Sequence, residues 1–191
     1  MFVLGIDPGL SRCGYGAVRR ADNGRGAEAV VHGVITTPAD DPLPARLVAV
    51  QRALRALIAE HRPDVVVVER VFFQTNVRTA MSVGQASGLA LAEAAGAGCE
   101  VVQYTSNEVK QAVAGYGAAP KEQVQRMVRT LLALDEVPKP ADAADALALA
   151  LCHLARARWG DATTKKPAAR GGQAATRALR IATHAGGVPL R

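Results

Sequence analysis

Asp142 and Asp145 lie three residues apart in the stretch 140–152, where every other residue after Pro140 is small or apolar. Those residues are strong helix formers, and Pro140 suits a first helical position. A helix apolar on nearly all sides is buried, and a spacing of three puts both acids on one face. Carboxylates held together in an apolar setting lose hydration and repel each other. They must be protonated, paired with cations, or bound to metal. Asp142 alone also suits a helix N-terminus, where an acid meets the positive end of the dipole, but Asp145 lies past the first turn. Two further acids end apolar strands: Asp7 closes residues 2–7 and Glu69 closes the four-valine run 65–68. In α/β sheets the carboxyl ends of parallel strands line the functional crevice. If the two strands are neighbours, Asp7 and Glu69 share a cleft with Asp142 and Asp145. Hard divalent cations, Mg²⁺ or Mn²⁺, are the natural partners of such a set. Two such ions about 4 Å apart serve in-line phosphodiester chemistry, one activating water and the other steadying the leaving oxygen. The chain has no other catalytic grouping, so the four acids favour a metal-dependent nuclease.

The elements that must position these acids can be read in order. Residues 2–7 form a buried strand, and Pro8-Gly9 turns the chain. Residues 13–20 form a second strand, its glycines allowing close backbone approach. A hairpin loop at 22–26 leads to a third strand at 28–37. Short links between the three imply an antiparallel meander. Residues 43–61 carry Leu47, Val50, Leu54, Leu57 and Ile58 at helical spacing. The valine run 65–68 suits a central strand covered on both faces. A small-residue helix follows at 79–95, then a strand at 100–105, with Ser106 as N-cap of the next helix. Pro120 opens a further helix through Leu134. The order βββαβαβααα predicts an α/β domain with a mixed sheet, three antiparallel strands followed by parallel ones.

Composition sets the outer limits. A length of 191 suits one domain, expected over 1–158, with a tail at 159–191. The net charge of +6 is uneven: residues 156–191 carry eight Lys/Arg against one acid, Asp161, leaving the body near neutral. The tail is rich in Gly, Ala, Thr, Pro and Lys/Arg without period, and reads as disordered. A basic tail suits a polyanionic partner, nucleic acid first, or serves only solubility. In the body, attraction for DNA must come from local patches such as Arg78, Lys110, Lys121, Arg126 and Arg129. No run is long enough to span a bilayer, and the N-terminus lacks a signal peptide's basic region. Cys13, Cys99 and Cys152 are scattered without a CxxC, which suits a reducing cytoplasm.

A set of motifs then appears in order: Gly5-Ile-Asp-Pro-Gly9; Glu69 with Val71-Phe72; Gly84-Gln-Ala86; Val109-Lys-Gln111; Lys121 with Gln123-Val-Gln125; and Ala141-Asp-Ala-Ala-Asp-Ala146. From about residue 2 to 156 the chain resembles the RuvC family, bacterial Holliday-junction resolvases with a ribonuclease-H-like fold. The resemblance implies a five-stranded mixed sheet flanked by helices. It implies a homodimer that nicks two opposing strands of a four-way junction, with two Mg²⁺ ions per subunit and Mn²⁺ as a substitute, leaving ligatable ends. On it, Asp7, Glu69, Asp142 and Asp145 are the catalytic, metal-holding acids. Lys110 and Lys121 meet DNA near the scissile phosphate, and Phe72 stacks on bases at the junction centre. The branch-migration proteins RuvA and RuvB are its implied partners. The tail lies outside the resemblance.

Blander readings stand beside these. Lys110 and Lys121 suit ordinary solvated helix faces, and Phe72 with Phe73 suits the core. The small-residue helix could simply pack on the sheet, or make a two-fold dimer contact. The rival enzyme is an actin-like or sugar-kinase-like ATPase, which needs two such domains around a nucleotide. The rival in another class is a non-catalytic nucleic-acid binder, for which four clustered acids would only repel phosphate.

Overall fold

The computed structural model describes residues 1–21, 26–70 and 77–163. Strands β1 (Phe2–Asp7), β2 (Arg12–Arg20) and β3 (Ala27–Thr36) form the meander. Helix α1 (Leu43–His61) leads to β4 (Val65–Glu69), and α2 (Val77–Gly96) leads to β5 (Glu100–Tyr104). Helices α3 (Ser106–Ala114), α4 (Lys121–Leu131) and α5 (Ala141–Thr163) follow. One five-stranded sheet runs in the order β3-β2-β1-β4-β5. β1 pairs antiparallel with β2 and parallel with β4, so the acid-ended strands are indeed neighbours. Among the described residues no helix is long and apolar enough to cross a membrane.

Strand periodicity decides which way the acids face. Side chains alternate across a sheet. Leu4, Ile6, Val66 and Val68 join the core under α1 and α2, whereas Val3, Val65 and Val67 join the core under α3, α4 and α5. Asp7 shares the parity of Val3, and Glu69 that of Val65 and Val67. Both acids therefore emerge on the α5 face. The β1–β4 register ends at Ile6↔Val68, which brings Asp7 and Glu69 side by side at the next step. All four valines of β4 are buried, as expected for a strand covered on both faces.

Helix α5 lies unusually close to this face because three strand positions lack side chains. A Cβ on Gly5 would meet the backbone of Ala146 and Ala150; one on Gly14 would meet the Asp142 carbonyl; one on Gly16 would meet Leu147. The alanines of α5 are the complementary half: Ala143, Ala146 and Ala150 are fully buried. This contact sets how far Asp142 and Asp145 stand from the strand ends.

Two local expectations are corrected. Thr105, not Ser106, caps α3: its hydroxyl accepts from the Glu108 N–H, and the Glu108 carboxylate accepts from the Thr105 N–H, a reciprocal capping box. Helix α4 stops at Leu131 rather than Leu134. Ala133 adopts a left-handed backbone and Leu134 N–H reaches back to the Arg129 carbonyl, a closure made without the glycine that usually marks one. Helix α5 begins just after Pro140 and continues to Thr163.

Gly5→Ala is expected to lower folding stability by about 3 kcal/mol, because the added methyl meets helix backbone that has no rotamer to yield. Denaturant unfolding measures it, and an unchanged midpoint would show that α5 can lift from the sheet freely.

Candidate active site

Asp7, Glu69, Asp145, Lys110, Lys121 and Ser106 line one cavity of about 340 Å³ at the carboxyl ends of β1 and β4. Asp142 stands beside it, close enough for its charge to bear on Asp7. Each side chain has a distinct anchor. Asp7 and Glu69 are held by the central strands. Asp142 and Asp145 come from the first turns of α5. Lys110 comes from α3 and Lys121 from the start of α4. The α3 anchor is itself fixed from α5: Arg156 Nη1 lies 2.7 Å from Glu108 Oε1 and its guanidinium sits over the Tyr104 ring. The Thr105 N–H, together with Arg156, holds the Glu108 carboxyl down at about 2. Arg156, counted with the basic tail from sequence, is thus engaged inside the fold.

The four acids divide into two pairs with different compensation. Asp7 and Glu69 stand close enough for each to bear on the other's titration. Burial, then the charges of Glu69, Asp145 and Asp142, push the Asp7 carboxyl up to about 8. Burial also raises Glu69. Two adjacent buried carboxylates cannot both ionise cheaply, so the inner pair shares a proton near neutral pH. The outer acids hold cations instead. Arg12 donates to Asp142 Oδ2 through Nε (3.0 Å) and Nη2 (2.7 Å). Burial pushes Asp142 up, but the Arg12 hydrogen bonds, its own backbone N–H and the nearby cations outweigh this and leave it below its ordinary value. Lys121 Nζ lies 2.6 Å from Asp145 Oδ2, and that bond raises the lysine's affinity for its proton. Among the described residues, no three His, Cys, Asp or Glu side chains are set as a ready-made metal cage; the outer two acids are occupied by Arg12 and Lys121.

The structure therefore brings together Asp7, Glu69, Asp142, Asp145, Lys110 and Lys121. Phe72 lies outside the described residues, and Arg78 is described only through the backbone of α2. Arg129 donates to the Leu134 carbonyl and closes α4. Sequence reasoning missed Arg12, and gave Ser106 only a capping role and not its place in the cavity wall. Arg12 follows Asp7 across a tight hairpin turn, and that proximity was the available signal.

Residues 3–153 match the family described as crossover junction endodeoxyribonuclease RuvC. The chain belongs to the RuvC family. A RuvC of Salinispora arenicola is 53% identical over 180 residues, covering 94% of this chain and 98% of the relative. One from Saccharopolyspora erythraea is 54% identical over 159 residues, 82% of this chain and 78% of the relative. Among solved structures, Thermus thermophilus RuvC superposes with a TM-score of 0.78 at 40% identity, covering 84% of this chain and 97% of that one. The same organism's RuvC in complex with a Holliday-junction substrate gives 0.76 at 37% identity, over the same shares of the two chains. The yeast mitochondrial resolvase Ydc2, at 14% identity and a TM-score of 0.58, shares the fold. RuvC membership makes this chain a phosphodiester hydrolase acting on four-way DNA junctions, and sets aside both the ATPase and the non-catalytic binder.

The inner acid pair destabilises the fold as pH rises. An acid whose folded pKa is raised binds more protons folded than unfolded. Its effect on stability is therefore absent below the unfolded value near 3.8 and grows as pH rises toward about 8. In chelator, Asp7→Asn is expected to unfold at a higher temperature than wild type at pH 8, by about 2–4 °C for each kcal/mol relieved. The gap should close near pH 4. Thermal scans across that range check it; a gap that widens toward acid pH would reverse the assignment.

Proposed function

We propose that Asp7, Glu69, Asp142 and Asp145 hold two Mg²⁺ ions, with Mn²⁺ as a substitute, and that the junction is cut by metal-dependent hydrolysis. The observation that carries this is the inner pair. Two buried carboxylates that must share a proton, flanked by two more that must recruit cations, form a site short of positive charge. The donor set is all hard oxygen, without His or Cys, and so fits Mg²⁺ or Mn²⁺ rather than Zn²⁺. When bound, the ions lower the pKa of the attacking water and neutralise charge on the leaving oxygen. The rest falls to the chain's own residues. Asp7 and Glu69 release their shared proton as the cleft gains positive charge. Lys121 can exchange the Asp145 carboxylate for a phosphate oxygen, since its side chain is half-exposed. Lys110, across the same cavity, orients the strand.

Paired nicks require two clefts related by a two-fold axis, and we assign a homodimer on that ground. Helix α2 is the suited surface: Met81 is 60% exposed, and Cβ positions at Gly84 and Gly88 open into free space. Phe72, just beyond Glu69 in sequence, is assigned to stacking on bases at the junction centre, and Arg78 to the phosphates there. RuvA and RuvB are the proposed partners by family. A cytoplasmic setting suits the three free thiols; burial pushes Cys13 up to about 11 and Cys152 to about 12, which makes both inert. The tail 159–191 is proposed to add sequence-independent attraction for DNA.

Cleavage of a synthetic four-way junction is expected to require Mg²⁺, while a linear duplex of the same sequence stays intact. Asp7→Asn and Asp145→Asn should each slow cleavage at least ~100-fold, the scale of losing several kcal/mol of metal stabilisation, while junction binding persists. Near-normal cutting by either variant removes that residue from the site. Phe72→Ala should impair junction cleavage with little change in thermal midpoint; a loss of about 3–5 kcal/mol in stability instead would place the ring in the core.

A further inference from the structure

We infer that Arg12 competes with metal for Asp142: its guanidinium pairs with that carboxylate and must leave it when an ion binds there. It thereby sets the metal concentration at which the site fills. The inference rests on the metal-binding reading of the four acids given above.

Several observations lead there. Arg12 and Asp142 are 130 residues apart in sequence, yet two donors of the guanidinium converge on one carboxylate oxygen. The placement is built rather than incidental. The Thr37 N–H and hydroxyl bind the carbonyls of Ser11 and Leu10, and Arg46 Nη2 donates to the Ser11 hydroxyl at 2.6 Å. The turn that delivers Arg12 is thus tied to the end of β3 and to α1. Its destination is the first turn of α5, the positive end of a helix dipole, where a cation is electrostatically misplaced. Asp142 alone would satisfy that helix end. A cation there serves to neutralise an acid that the neighbouring carboxylates would otherwise repel.

The exposure pattern completes the case. The Arg12 side chain is 50% exposed and that of Asp142 28%, so the ion pair is partly screened and readily exchanged. A divalent ion brings twice the charge in a smaller volume and wins the carboxylate by Coulomb's law. Arg12 is not among the residues lining the cavity, whereas Lys121 both binds Asp145 and lines it.

The test is Mn²⁺ binding to the full chain without DNA, read from the electron paramagnetic resonance of the free ion. Arg12→Gln and Arg12→Ala, two charge-removing variants in case one folds poorly, are expected to tighten binding roughly three- to fivefold at low ionic strength, the scale of a half-exposed ion pair. The difference should shrink in salt. Arg12→Lys, which keeps the charge but not the fork, should stay nearer wild type. Asp7→Asn serves as the reference. If it abolishes binding while the Arg12 variants match wild type or bind more weakly, the tetrad reading stands and this inference is overturned. If Asp7→Asn binds as wild type does, or wild type itself binds no Mn²⁺, the tetrad reading itself fails and takes this one with it.

Discussion

Mutual repulsion among four carboxylates in one cleft is the constraint around which the rest of this protein is arranged. The fold relieves it twice over. The inner acids, Asp7 and Glu69, share a proton because burial and each other's charge make full ionisation costly. The outer acids, Asp142 and Asp145, reach the cleft rim and take Arg12 and Lys121. Both solutions are provisional in a chemical sense. A proton can leave and a half-exposed cation can be exchanged, so the charge balance of the cleft can be reset without unfolding it.

That arrangement depends on how closely a helix can approach a sheet. Side chains on Gly5, Gly14 and Gly16 would hold α5 away, and Asp142 and Asp145 would then stand too far from the strand ends to share a site with them. The alanines of α5 and the glycines of β1 and β2 are one feature seen from two sides. The same helix also steadies α3 through Arg156 and Glu108, and so fixes the element that carries Lys110 into the cavity. A single long helix thus supplies two of the acids and supports one of the lysines.

The opposite face of the sheet has a quieter role. Leu4, Ile6, Val66 and Val68 are buried under α1 and α2 and hold β1 against β4 in register. A one-residue slip between these strands would send one acid to each face of the sheet. Burial on both faces of β4 makes that slip costly, so the apolar core on the far side secures the geometry of a polar site it never touches.

The element order and the meeting of Asp7 and Glu69 at neighbouring strand ends were legible in the sequence, because strand alternation, helical spacing and a buried run interrupted only by two aspartates leave few readings open. The resemblance from the opening motif to the last helix carried the family. Local closures were less legible. Ser106 and Thr105 are equally good caps by type, and only the reciprocal bond to Glu108 chose between them; Ala133 ended α4 in a conformation that glycine usually signals. What tertiary structure alone decided was the balance of charge. Arg12 is an unremarked basic residue in sequence, and Arg156 looks like part of a basic tail. Each became a partner of an acid far along the chain because folding placed them together. Sequence spacing reports contacts within a helix or strand, whereas the pairing of charges across elements is set by how those elements pack.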